Sequence, residues 1–204
     1  SSSTKDIELK KVWSDDTDAE GFRPGSVKFT VTGTIPDGEG TKTVSTETYT
    51  VAKTDEGETA NDWAKTIEGL PKFSGGQEIT YAVTAEGQVP NYTASISGLT
   101  VTNTHETSTT SIDLKKVWND SSDAEGFRPD SVTFTVTGTV GSGESAKTVS
   151  TETYTVAKTD EGESADDWSK TISDLPKFAE GQEITYTVTA EGQVPNYTAS
   201  ISGL

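Results

Sequence analysis

The sequence contains no cysteine, no methionine and a single histidine in 204 residues. Without cysteine there is no disulfide, thiolate nucleophile, zinc finger or iron–sulfur ligand set. One histidine nearly excludes catalytic triads and multi-histidine metal sites, so no metal or other cofactor is expected. Long apolar runs are also missing, and none approaches the roughly 18 residues that read as a membrane-spanning helix. The opening Ser-Ser-Ser-Thr-Lys-Asp has no signal-peptide apolar stretch, so any export signal is expected outside this segment; no LPxTG-like anchoring signal occurs either. Basic residues are scarce, 16 against 33 acidic ones, for a net charge of −17. That charge repels phosphate backbones and anionic lipid, so neither nucleic acid nor membrane is expected as a partner.

Leu, Ile, Val and Phe together number only 37 of 204 residues, a poverty that with this charge usually signals disorder. The pattern says otherwise. Segments such as Val27-Lys28-Phe29-Thr30-Val31 and Ile79-Thr80-Tyr81-Ala82-Val83 alternate apolar and polar residues, the signature of half-buried strands.

The chain is a duplication. KKVW at 10–13 recurs at 115–118, and Trp63/Trp168, Tyr81/Tyr186 and Pro90/Pro195 keep the same offset of 105 without a gap. Between 6–99 and 111–204, 74 of 94 positions are identical. A repeat of this length is an ordinary domain able to own a core, unlike a short solenoid unit. The sequence therefore divides into a first module over 1–105, a short polar and extended linker over 106–111, and a second module over 112–204.

In the first module, strands are expected at 7–13, 26–33, 43–52, 63–68, 78–85, 92–97 and 99–103, with turns at Arg23-Pro24-Gly25, Pro36-Asp37-Gly38, Leu70-Pro71, Ser74-Gly75-Gly76 and Ser97-Gly98. Seven short strands predict an all-β fold of two tandem Greek-key sandwiches, with Trp13 and Trp63 as core fillers.

The ordered motifs KKVWSDDTDAEGFRP, DW, LPKF, ITYAVT, VPNYT and ISGLTVTNTH resemble the B-type repeat of the collagen adhesin Cna, a module of Gram-positive adhesin stalks and pilins. The resemblance covers nearly all of each copy. It implies a prealbumin-like, or inverse immunoglobulin-like, sandwich that often carries an intramolecular isopeptide bond between a Lys of the first strand and an Asn of the last. The matching residues are Lys11 and Asn103, with Glu86 as the catalytic acid and Lys116 and Glu191 as the equivalents in the second copy.

The residues permit that chemistry. Lys11 lies two positions before Trp13, so both face one side of a strand; a lysine buried there tends to lose its proton and become a nucleophile. Asn103 shares the face of Val101. An acid kept protonated in the same surroundings would relay protons as ammonia leaves. The acid is displaced, however: the family pattern places Glu directly after Y-x-V-x, whereas Tyr81-Ala82-Val83-Thr84 is followed by Ala85 and then Glu86. A one-residue bulge near Ala85 and Gly87 would turn Glu86 inward. The equivalent of Asn103 would be position 208, beyond Leu204, so the second copy is expected to lack its bond and to be the more labile.

Other features read plainly. Asp16–Gly21 is expected to be a solvated acidic turn rather than a calcium loop, because the second copy loses the leading acid and no closing Glu follows. His105 is expected to be an exposed linker residue, and the acidic run 55–58 a solubilising loop. The sequence thus points to a monomeric stalk or spacer of a cell-wall-anchored, extracellular adhesin or pilus-like protein, in line with other domains of the same chain, with no enzymatic activity beyond self-processing. The alternative is an adhesive module that binds a host matrix protein or glycan.

Overall fold

The structure is a computed structural model that describes residues 2–204 and is all-β. It divides into two compact units, the first reaching Thr107 and the second spanning Ser108–Leu204.

The first strand, β1 (Thr4–Ser14), exists because every second residue from Ile7 to Trp13 points inward: Ile7, Leu9, Lys11 and Trp13 are all buried. β2 (Ser26–Asp37) repeats the device with Val27, Phe29 and Val31. The module continues with β3 (Gly40–Ala52), β4 (Asp62–Pro71), β5 (Phe73–Ser74), β6 (Gln77–Glu78), β7 (Thr80–Glu86), β8 (Thr93–Ser97) and β9 (Thr100–Thr104). One sheet has the order β4-β1-β9-β8 and the other β3-β2-β7, while β5 and β6 form a small hairpin of their own. Within the first sheet β1 and β9 run parallel, with Lys11 opposite Val101 and Trp13 opposite Asn103.

The seven expected strands are present, some longer than sequence indicated, and the segment expected at 78–85 is divided between β6 and β7. Between the sheets lie Leu9, Phe29, Val31, Val51, Val83 and Val101, each side chain of this size contributing about 1.5–3 kcal/mol on burial. Trp13 packs edge-on against Trp63 and Tyr92, both at 5.0 Å. Gly33 is required on β2, since a Cβ there would stand 2.5 Å from Ser45 Oγ and 2.9 Å from the Tyr81 ring.

The loop after β1 is more ordered than a solvated turn. Asp16, Thr17 and Asp18 take three successive positive φ angles of 55°, 56° and 58°, a run that L-residues adopt only when held. Asp15, buried at the end of β1, holds it: its carboxylate accepts from the Asp18 N–H at 3.1 Å, from Arg23 Nε at 2.8 Å and Nη2 at 2.6 Å, and from the Tyr92 hydroxyl at 2.7 Å. Burial alone would push this carboxyl up, but the donors from Arg23, Tyr92 and Asp18 outweigh it and hold it below the usual carboxylate range. Arg23 also reaches the Asn61 side chain at 2.6 Å and lies over Trp13. Glu20 in this loop is buried as well.

The second module contains β10 (Thr109–Val117), β11 (Ser131–Val140), β12 (Lys147–Ala157), β13 (Asp167–Pro176), β14 (Phe178–Ala179), β15 (Gln182–Glu183) and β16 (Thr185–Glu191). Its described residues form the pairs β10-β13 and β14-β15 and the sheet β12-β11-β16. The loop lock is repeated by Asp120, Arg128 and Tyr197.

Removing the acceptor in Asp15→Ala strips Arg23 of its carboxylate partner and orphans the Tyr92 hydroxyl, and should destabilise the first module by about 2–4 kcal/mol at neutral pH, with Tyr92→Phe costing nearer 1 kcal/mol. Because the folded carboxyl is held low, the Asp15 contribution should be complete above about pH 4 and lost as pH falls through the lowered value. Thermal unfolding against pH checks both; an Asp15→Ala module with the wild-type profile would refute the lock.

Candidate functional site

Lys11 is among the largest fully buried side chains of the described residues, with no exposed surface, in the middle of β1. An ammonium there needs a counter-charge, and Glu86 supplies it: Lys11 Nζ donates to Glu86 Oε2 at 2.7 Å, with the Glu86 side chain 4% exposed. The Trp13 ring, 4.6 Å from Nζ, forms one wall. Burial lowers the lysine pKa to about 8, the hydrogen bond and charge of Glu86 offsetting part of the shift.

Glu86 faces inward because of a bulge. On β2 and β7, Thr30 pairs with Ala85 but Val31 pairs with Val83, so Thr84 is the extra residue. Val83 points into the core, Thr84 and Ala85 both lie on the exposed side, and Glu86 returns to the interior opposite Phe29. The irregularity falls slightly earlier than the 85–87 stretch expected from the motif count.

Asn103 on β9 is fully buried, and its side-chain Oδ1 and Nδ2 have no hydrogen-bond partner among the described residues. The Trp13 Nε1, on the residue opposite, is unpartnered too. A buried, unsatisfied carboxamide is costly, about 1–3 kcal/mol for each group left unmade. The structure therefore brings Lys11 and Glu86 into direct contact, and places Asn103 on the neighbouring strand, inward-facing, two positions along from Lys11.

In the second module Lys116 Nζ donates to Glu191 Oε2, again at 2.7 Å, beneath Trp118. The bulge recurs, with Thr135 opposite Ala190 and Val136 opposite Val188. This pair is more open: the Lys116 side chain is 13% exposed and lines a cavity of about 290 Å³ with Glu191, Phe134, Val188 and the 199–204 segment.

Two features escaped the sequence reading. The Asp15–Arg23–Tyr92 lock closes the site at the Trp13 end, and its signal was the exact recurrence of Asp, Arg and Tyr at an offset of 105. His105 is not an exposed linker residue; its side chain is 14% exposed and held on both ring nitrogens. Among the described residues no group of three or more His, Asp or Glu side chains is arranged to hold a metal ion.

Two sandwiches in tandem, each built around an inward-facing lysine–carboxylate pair, define a class of repeat module. The chain belongs to the Cna protein B-type domain family, which matches residues 7–104 and 112–204. It is 28% identical over 202 residues to the collagen adhesin of Staphylococcus aureus, a match that covers 97% of this chain and 14% of that protein. The chain thus spans about one seventh of the length of that relative. Two solved structures from the S. aureus collagen-binding protein, a single B repeat unit and a pair of them, each share 27% identity, with TM-scores of 0.40 and 0.41. They match 98% and 99% of this chain, and 92% and 47% of their own length.

The bulge yields a sharp expectation. Deleting Thr84 converts Tyr81–Glu86 to regular alternation with Glu86 still inward, so the Lys11–Glu86 pair should survive with a stability change under about 1 kcal/mol. Moving the acid one place, in the double variant Ala85→Glu with Glu86→Ala, should strand the Lys11 ammonium and destabilise the module by about 3–5 kcal/mol. Denaturant unfolding of the two variants decides, and equal stability would refute the inward role of Glu86.

Proposed function

We propose that the two modules are a stalk or spacer segment of a bacterial surface adhesin or pilus-like protein, outside the cell and in line with other domains, and that the first module is welded by an isopeptide bond between Lys11 and Asn103. The observation that carries this reading is the buried, unpartnered carboxamide of Asn103 beside a buried lysine already paired to an acid.

The chemistry follows from the pair. In a dry interior the ammonium–carboxylate form loses solvation on both ions, which draws it toward the neutral amine and carboxylic acid. The neutral Lys11 nitrogen attacks Asn103 Cγ. Glu86, now the acid, hydrogen-bonds the carboxamide and passes its proton to the departing nitrogen, then recovers one from the attacking nitrogen. One C–N bond forms, one breaks, and ammonia leaves with the protons balanced. The product exchanges a buried cation and an unsatisfied amide for a neutral secondary amide beside a carboxylic acid.

The geometry gives this bond a mechanical role. β1 and β9 are the first and last strands of the module and run parallel side by side, so tension through the termini loads their ladder in shear. A covalent link between residues 11 and 103 carries the force directly and leaves the intervening 91 residues unloaded. If the chain-entropy treatment of disulfides transfers, the link also stabilises by about 4–5 kcal/mol.

A spacer fits better than a ligand-binding head. The exposed large apolar residues among those described, Phe73, Ile96, Val117, Phe127 and Ile201, are divided between the two modules and include no aromatic–arginine cluster of the kind that anchors partners. Self-processing is the only reaction assigned; no external substrate is.

Intact mass tests the reading. The chain of residues 1–204 should be lighter by one ammonia, not two, since Lys116 has no Asn103 counterpart within it. Lys11→Ala, Asn103→Ala and Glu86→Ala should each restore the full mass, and the second module should be the first to unfold and to be cut by protease. A wild-type mass without any deficit would contradict the bond.

A further inference from the structure

His105 lies two residues beyond Asn103, where β9 ends. Its backbone N–H continues the ladder onto Ser14 O at 2.9 Å, one step past the Ser14–Thr104 pair. Its ring is gripped on both sides: Nδ1 meets the carbonyl oxygen of Asn91 at 2.7 Å, and Nε2 meets the Glu20 carboxylate. Both of these partners only accept, so both ring nitrogens must donate, and only the imidazolium can do that. Asn91 takes a left-handed φ of 72° in the turn that presents its carbonyl. Phe22 and Tyr92 pack on the ring at 5.1 and 5.5 Å.

We propose that His105 is a positioning residue for the coupling: as an imidazolium clamped between Asn91 and Glu20, it ties the end of β9 to the loop after β1 and so fixes Asn103 in the register that reaction with Lys11 requires. This rests on the welding reading above and adds to it a residue and a pH control.

The titratable groups facing the ring are Glu20 and Asp15 of the loop and Tyr92 of the turn, with Asp15 already committed to Arg23. Burial alone would lower the imidazole pKa, but the bonds to Glu20 and Asn91 and the charges of Glu20 and Asp15 outweigh it and raise it. The clamp is therefore complete below the ordinary imidazole value of about 6.5 and is lost as pH rises through the raised folded value. The Lys11–Glu86 pair does not mimic this dependence at low pH, because its ionic and neutral forms hold the same number of protons.

The test follows ammonia loss over time by intact mass in the full chain made by cell-free synthesis. At about pH 6, His105→Gln and Glu20→Gln should each slow the reaction by about tenfold to a hundredfold, the scale expected when a reacting group is misplaced by about 1 Å. The wild-type to His105→Gln rate ratio should shrink toward one as pH rises through the raised imidazole value, where the wild-type ring loses its charge. His105→Arg, a permanent cation with several donors, should recover much of the rate and keep it at the higher pH. Circular dichroism confirms that each variant is folded, and a purely structural role would lower melting temperature without the pH-dependent ratio. Wild-type chains that never lose ammonia would overturn the welding reading itself. Wild-type chains that lose it while both His105→Gln and Glu20→Gln keep pace at about pH 6 would overturn the positioning role alone.

Discussion

A lysine ammonium with no access to water is the constraint on which the first module depends. An unpaired ion in that position is prohibitive, so the sheet must bring a carboxylate to it, and the 2.7 Å contact between Lys11 and Glu86 meets that requirement. The consequences spread outward. β7 carries an extra residue at Thr84 so that Glu86 can turn in, β1 keeps strict alternation so that Lys11 and Trp13 share a face, and β9 adds Asn103 to the same interior. A pair of apolar side chains would pack there with less penalty. What apolar residues lack is reactivity, and under the proposed welding the buried Asn103 carboxamide without partners gives the retained charge pair a purpose.

Each module has the lysine, acid, bulge and covering tryptophan. In the first, β9 lies parallel against the strand that carries Lys11, and the lysine is wholly buried. β9 and what anchors it close that site. At one end of that strand the Leu99 carbonyl accepts from Lys10 N–H, and at the other His105, Glu20 and the Asp15–Arg23–Tyr92 lock bind the loops that flank Trp13. A thin hydrophobic core is tolerable in such a design because much of the cohesion is polar, and the loop lock that supplies part of it is repeated in both modules.

Much of this was legible in the sequence. Alternation of Ile7, Leu9, Lys11 and Trp13 gave both the strand and its buried face, and an ungapped offset of 105 gave two modules. The displacement of Glu86 by one residue pointed to a bulge, because a side-chain period of two leaves no other way to bring that carboxylate inside. What stayed hidden depends on contacts across long sequence separations. Asp15 and Tyr92 lie 77 residues apart and His105 and Glu20 lie 85 apart, and no strand period or local motif links the members of either pair, even though Asp15, Arg23 and Tyr92 recur in the second copy. Glu20 reads as solvated because its neighbours are acidic, and His105 reads as linker because the residues after it are polar. The fold overrides both readings by placing the end of β9 beside the loop that follows β1.

Sequencing by tandem mass spectrometry of a proteolytic digest of the full chain tests the central claim most directly. The account predicts a branched peptide in which the segment containing Lys11 is joined through its side chain to the segment containing Asn103, with Lys116 recovered in a linear peptide. Recovery of the Lys11 and Asn103 segments as two separate linear peptides, with a free amine and an intact carboxamide, would contradict it.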